Sequence, residues 1–177
     1  MCKFRDLRAD EIDVRIGQVY DNGLTLLLYK DARCDMNILD ETVRPENWQR
    51  EHHDCKGNLF CRVGINVNFD KPDAPERWIW KSDCGTESNV EAQKGEASDS
   101  FKRACVNWGI GRELYTSPSI WVDASDCKIV EEEYQGKKKY KCKQKFEVEK
   151  IKIENKRIVG LAIRNISNGK RCFVWSD

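Results

Sequence analysis

Leu59-Phe-Cys-Arg-Val-Gly-Ile-Asn-Val-Asn-Phe69 alternates without a break. Leu59, Cys61, Val63, Ile65, Val67 and Phe69 fall on one side of an extended chain, and Phe60, Arg62, Gly64, Asn66 and Asn68 on the other. One face is core and the other is largely polar. Upstream, Trp48 to His53 reads as a partner strand across a Lys56-Gly57-Asn58 turn. Downstream, the Pro-containing loop Lys71 to Glu76 leads to a third strand, Arg77-Trp78-Ile79-Trp80-Lys81. The three make an antiparallel meander.

A long helix follows. Ser88-Asn89-Val90-Glu91 is a capping box, in which the Ser hydroxyl and the Glu carboxylate satisfy exposed backbone donors. The helix should run from 89 to Trp108 and stop at Gly109. Val90, Ala97, Phe101, Ala104, Cys105 and Trp108 form its buried stripe, while Lys94, Ser98 and Lys102 sit four apart on another face that Arg103 extends. Residues 95, 97, 98 and 100 are small, which leaves little side-chain cover beside Lys94, Lys102 and Arg103 and lets a chain of phosphates come close. The plain alternative is a solvated basic face, since Lys and Arg are normally exposed.

Outside this core the spacing of Leu7, Ile12, Ile16 and Val19 predicts a short amphipathic helix over 7–19, ended by Asp21-Asn22-Gly23. Leu24 to Lys30 reads as a strand. Ala32 to Val43 reads as a helix stopped by Pro45, whose ring disfavours helical geometry at Arg44. Beyond Ser119 the pattern is all-β. Tyr140, Cys142, Gln144, Phe146 and Val148 alternate with Lys139, Lys141, Lys143, Lys145 and Glu147, predicting one strand with an apolar and a basic face. Arg157 to Arg164 and Arg171 to Trp175 add two strands across Ser167-Asn168-Gly169. The expected fold is α+β: an antiparallel β-meander packed against a long helix, with a C-terminal β extension. The expected division is residues 1–119 and 120–177.

Composition narrows the chemistry. The 177 residues carry 31 Lys and Arg against 30 Asp and Glu, within the range of an ordinary globular domain. Residues 1–119 hold 17 basic against 21 acidic side chains and residues 120–177 hold 14 against 9, which hints at a polyanion near the C-terminal third. The apolar run Leu26 to Tyr29 falls far short of the about 20 residues a bilayer span needs, and the charged Met1-Cys2-Lys3-Phe4-Arg5-Asp6 is no secretory signal. A cytoplasmic protein is expected. Nine cysteines without a Cys-x-x-Cys argue against disulfide scaffolding and for small buried apolar roles. His52, His53, Cys55 and Cys61 match no common zinc spacing, so no metal is expected. No phosphate-cradling Gly-x-x-x-x-Gly-Lys-Ser/Thr occurs, Gly109-Ile110-Gly111-Arg112 is too short for a dinucleotide fingerprint, and no hydrolase signature is present. Neither a cofactor nor an enzyme is expected.

Lys94-Gly-Glu-Ala-Ser-Asp-Ser-Phe-Lys-Arg-Ala-Cys-Val-Asn-Trp-Gly-Ile-Gly-Arg-Glu-Leu-Tyr115 resembles the signature helix of the Rad fifty-two (Rad twenty-two) family of single-strand DNA annealing proteins, most closely its phage and bacterial branch. Leu39-Asp-Glu-Thr-Val-Arg-Pro-Glu-Asn-Trp48 is similar to the family's segment entering the hairpin. The resemblance covers about residues 5 to 119. It implies an ATP-independent protein that forms homo-oligomeric rings or filaments, lays single-stranded DNA in a basic groove, and pairs complementary strands in recombination and repair. Partners it implies are single-stranded DNA, further copies of the chain, and a phage exonuclease or host single-strand-binding protein in the nucleoid of a bacterial cell. The family's Lys-Arg pair matches Lys102 and Arg103, and its basic residue before the second helix matches Arg33. Lys81, Lys94 and Arg112 join them as DNA-binding candidates on charge and placement.

Two positions depart from the family pattern. Val106 stands where relatives carry another Arg, so that either the groove is less basic or Arg112 substitutes, and Pro45 replaces an aromatic contact near Trp48. Trp78 and Trp80 share a strand face and read as packing more readily than as base-stacking groups. The lysine face of 139–145 either guides a second strand or keeps an edge soluble, and Arg62 reads as solvent-exposed. Two other functions fit the same residues: a protein that protects single strands without annealing them, and an interaction module for a recombination nuclease.

Overall fold

The computed structural model describes residues 3–85 and 92–177. They form two compact units that cut across chain order. One comprises Asp31–Arg112 with the chain up to Asp6, the other Leu7–Lys30 with Glu113–Asp177. The expected boundary at residue 119 follows neither. Residues 7–30 are brought together with the C-terminal strands because they lie in the same sheet.

The first unit opens with α1, Ala32–Val43. Asp31 caps it by accepting from the Arg33 N–H at 2.7 Å, which satisfies a donor the helix itself cannot. Ile38, Leu39 and Val43 are fully buried. The helix ends at Arg44, whose φ of 69° turns the chain ahead of Pro45. Trp48 then donates back to Asp40 Oδ1 at 2.6 Å. The meander follows, with β1 at Trp48–Cys55, β2 at Asn58–Asn66 and β3 at Trp78–Cys84, antiparallel in that order. Register puts Cys61, Val63 and Ile65 opposite His52, Arg50 and Trp48 on one side and opposite Asp83, Lys81 and Ile79 on the other. Helix α2, Ala92–Trp108, covers that face. Phe101, Ala104 and Cys105 are solvent-free, and Trp108 Nε1 donates to the Val63 carbonyl at 3.0 Å. The capping box at 88–91 lies outside the described residues.

The second unit is a six-stranded sheet plus a separate hairpin. Its strands are β4 (Asp13–Val19), β5 (Gly23–Tyr29), β6 (Ile120–Asp123), β7 (Val130–Tyr134), β8 (Lys137–Lys141), β9 (Phe146–Glu154), β10 (Arg157–Asn165) and β11 (Lys170–Ser176). The sheet order is β11-β10-β9-β4-β5-β6, with β7 and β8 paired apart.

The helix expected over 7–19 does not form. A single 3-10 turn, Ala9–Glu11, leads into β4. The misreading has a physical origin. Ile16 pairs Leu26 while Val19 pairs Leu24, so three steps on one strand oppose two on the other. That bulge returns Ile16 and Val19 to one face at a spacing that imitates a helical turn. Gly17 sits in it, where a Cβ would come within 2.7 Å of Thr25 Oγ1. The strand expected over 139–148 is two: β8 pairs with β7, β9 pairs with β10, and residues 142–145 carry the chain from one to the other.

Candidate nucleic-acid interface

The basic side chains singled out from sequence gather at one end of α2, with exceptions. On β3, Lys81 and Asp83 share the face that α2 covers. Lys81 Nζ donates to the Asn107 carbonyl at 2.7 Å and lies 4.6 Å from the centre of the Trp108 ring. Arg112 donates to the Val106 carbonyl through Nη2 at 3.0 Å and to that of Asn107 at 3.3 Å. The last carbonyls of a helix have no partner within it and carry its partial negative charge. Lys81 and Arg112 therefore cap α2, and Gly109 with φ of 97° turns the chain so that Arg112 can reach back.

Arg103, one turn earlier, faces β3. Its Nε lies 3.4 Å from Asp83 Oδ1, with both side chains part-exposed. Asn107 reinforces this edge by donating to the Ser82 carbonyl at 3.1 Å. Lys102 is half-buried and makes no ion pair with a described residue. It is turned about 100° from Arg103 around the helix axis. Lys94 lies in the first turns of α2, and its side chain is outside what the structure describes. Arg33 stands elsewhere, on the first turn of α1, with its side chain 84% exposed and Nε 3.9 Å from Asp31 Oδ1. Thus Lys81, Arg103 and Arg112 come together around Asn107, Lys102 flanks them on the same helix, and no hydrogen bond or ion pair among the described residues joins Arg33 to the group.

Two participants are not among the candidates read from the sequence. Asp83 partly neutralises Arg103. Arg50 stacks its guanidinium 4.7 Å from the centre of Phe101, a second cation on the α2-facing side of the sheet. The alternation of β1 carries the signal for Arg50, since it places Arg50 opposite Val63.

The far face of the meander is furnished differently. Arg62 donates to Glu51 through Nε at 3.0 Å and Nη2 at 2.6 Å and lies 4.6 Å from the Trp80 ring centre. Trp80 rests on Gly64, where a Cβ would stand 2.8 Å from the indole, and Trp78 donates to Glu76. His52 and His53 point to opposite faces, the first 3.2 Å from the Ala97 carbonyl and the second stacked on Phe60. In the second unit, the lysine face of β8 is not wholly bare, because β7 sets Glu132 opposite Lys139, while Glu131 and Glu133 fall on the reverse face with Lys138.

Residues 5–134 match the model of the Rad52/22 family double-strand break repair protein. The chain is 33% identical over 105 residues to the single-stranded DNA-binding protein DdrA of Deinococcus radiodurans, covering 58% of this chain and 47% of that protein. It is 34% identical over 109 residues to the protein of the same name from Deinococcus deserti, covering 58% of this chain and 48% of that one. The chain therefore spans about half the length of these relatives. No solved structure matches it.

Proposed function

This chain belongs to the Rad52/22 family of double-strand break repair proteins, and from that premise we propose that it binds single-stranded DNA along α2 and pairs complementary strands without nucleotide hydrolysis. The observation that carries the reading is the basic end of α2, which lies within the residues 5–134 that match the family model, in a chain similar to two proteins named for binding single-stranded DNA. Lys102 and Arg103 contact phosphates. Lys81 and Arg112 hold the helix end and add positive field beside them. Lys94 lengthens the track toward the start of α2, and Arg33 meets the strand from α1. Annealing makes and breaks no covalent bond. It requires two polyanions relieved of mutual repulsion, with bases left open for trial pairing. Lys and Arg on phosphates supply affinity without reading sequence, and copies of the chain in a ring or filament multiply weak contacts along one strand.

The relatives' names speak of binding and not of annealing, which supports a second reading: a protein that covers single strands and protects them. Complementary labelled oligonucleotides mixed without ATP separate the two. An annealing protein speeds their pairing, while a protecting one binds as well and slows it. In either case Lys102→Ala with Arg103→Ala lowers affinity at least tenfold and leaves the size of the assembly unchanged. A double variant that binds normally removes α2 from the reading.

A further inference from the structure

We infer that one face of the β7–β8 hairpin, carrying Lys137, Lys139 and Lys141 and continued by Lys143 and Lys128, is a second track for a nucleic-acid phosphodiester backbone, separate from α2. The inference rests on the proposed function in that its ligand is the same polyanion.

The hairpin sorts its charges by face. Glu132 lies opposite Lys139, and Val130 opposite Lys141, whereas Glu131 lies opposite Tyr140 and Glu133 opposite Lys138. Residues opposite each other across antiparallel strands share a face, and neighbours along a strand alternate. One face thus holds Glu131, Glu133 and Lys138, with Lys138 paired to Glu131 at 3.0 Å. The other holds Lys137, Lys139 and Lys141 against Glu132 alone, which pairs with Lys141 at 2.5 Å. Lys128 and Lys143 line the same cleft as Lys141 and Glu132, a space of about 250 Å³. All five lysines are exposed.

Solubility alone does not account for this sorting, because charges of either sign, or a mixed set like that on the reverse face, would serve as well. Lining like charges along one face costs self-repulsion that a bound polyanion removes. Alternate residues of a strand stand about 7 Å apart, close to the separation of successive phosphates in an extended strand. Lysine ammonium groups meet phosphate oxygens as point charges on flexible stems, so this face would follow the backbone irrespective of sequence. Among the described residues β7 and β8 pair only with each other, which leaves the hairpin an arm and not a layer of the sheet.

The test is the salt dependence of binding by the full chain, measured by fluorescence anisotropy with labelled oligo-deoxythymidine and with a labelled duplex. Replacing Lys137→Gln, Lys139→Gln and Lys143→Gln together should lower the slope of log K against log salt by up to about 2 on the single strand or about 3 on the duplex. Whichever oligonucleotide shows the loss identifies the strand state the arm follows. The three Lys→Arg replacements should retain the slope, and Glu131→Gln with Glu133→Gln should leave it unchanged. A wild-type chain that binds while the triple Gln variant keeps the full slope overturns the inference and spares the proposed function. Loss of slope in the Arg variant as well, or competition by poly-glutamate as effective as that by DNA of equal charge, also overturns it. In the second case the arm would serve an acidic protein. A wild-type chain that binds neither oligonucleotide overturns both readings.

Discussion

Lys81 Nζ and Arg112 Nη2 donate to one oxygen, the main-chain carbonyl of Asn107, at 2.7 and 3.3 Å. Two cations from different parts of the chain are thereby fixed within a few ångströms of each other at the negative end of α2. Each is committed to the helix before any ligand arrives. Their positions are set by backbone geometry and not by flexible side-chain preference, so the field they add beside Arg103 is preorganised.

Arg112→Ala separates capping from direct contact. Losing hydrogen bonds to Val106 and Asn107 should cost the helix end about 0.3–1 kcal/mol, visible as a lowered denaturation midpoint. If Arg112 only caps, the salt slope for single-stranded DNA stays as in the wild type. If it also touches a phosphate, the slope falls by about 0.7. Arg112→Lys should restore part of the stability in either case.

Gly64→Ala probes the far face of the meander. The added methyl would stand 2.8 Å from the Trp80 indole, and the ring has little freedom to withdraw because the Arg62 guanidinium lies against it and is held by Glu51. Overpacking of this kind costs about 1–3 kcal/mol. Urea denaturation should show the loss, and Trp80→Leu in the same chain should recover most of it. A Gly64→Ala protein as stable as the parent would mean the indole is free to leave the sheet.

What the chain discloses about itself depends on where the pattern has one cause. The bounds of α1 follow from Asp31 and Pro45, a donor-satisfying cap at one end and a steric stop at the other. The meander follows from Leu59 to Phe69, whose alternation has no helical reading. Ile16 and Val19 mislead because a bulge gives a strand the spacing of a helix. Residues 139–148 mislead for the opposite reason: β8 and the start of β9 have the same period and differ only in partners, and periodicity along a chain does not name partners. At the site, reading cations by type selects Lys81 and Arg112 but not their role. Their acceptors are main-chain carbonyls, which no side-chain pattern displays. Gly109, marking the helix end, is the one sign that unpaired carbonyls lie nearby.

Burial sets the reactivity of the cysteines. Desolvation pushes the thiols of Cys61, Cys127 and Cys172 up to about 11, opposed at Cys61 by the Arg50 charge and aided at Cys127 by Cys142, Asp126 and Asp123. At pH 8 only about one thiol in a thousand of these would be ionised, and the thiolate is the reactive species. Iodoacetamide followed by mass spectrometry should label the exposed Cys55 well before these three. Denaturant should abolish the difference. Equal labelling of Cys127 and Cys55 in the native chain would contradict the packing at the base of the β7–β8 hairpin.

Glu149 gives the second unit an acid-sensitive joint. Its carboxylate receives Arg171 Nε at 2.6 Å and Nη2 at 2.8 Å, and Arg164 Nη2 at 2.6 Å. Hydrogen bonds from Arg171, and then from Arg164, hold its pKa at about 2 against an ordinary 4.5. A carboxyl whose pKa is lower folded than unfolded contributes stability above the unfolded value and loses it as pH falls through the folded one. The contribution is thus full above about pH 4.5 and gone below about pH 2. Glu149→Gln should flatten the fall in unfolding free energy across that window while lowering stability at pH 7, where the two guanidinium groups lose their common partner. If the wild type and Glu149→Gln lose stability in parallel between pH 4.5 and 2, the three side chains that bind β9, β10 and β11 across this face do not act as one ionic unit.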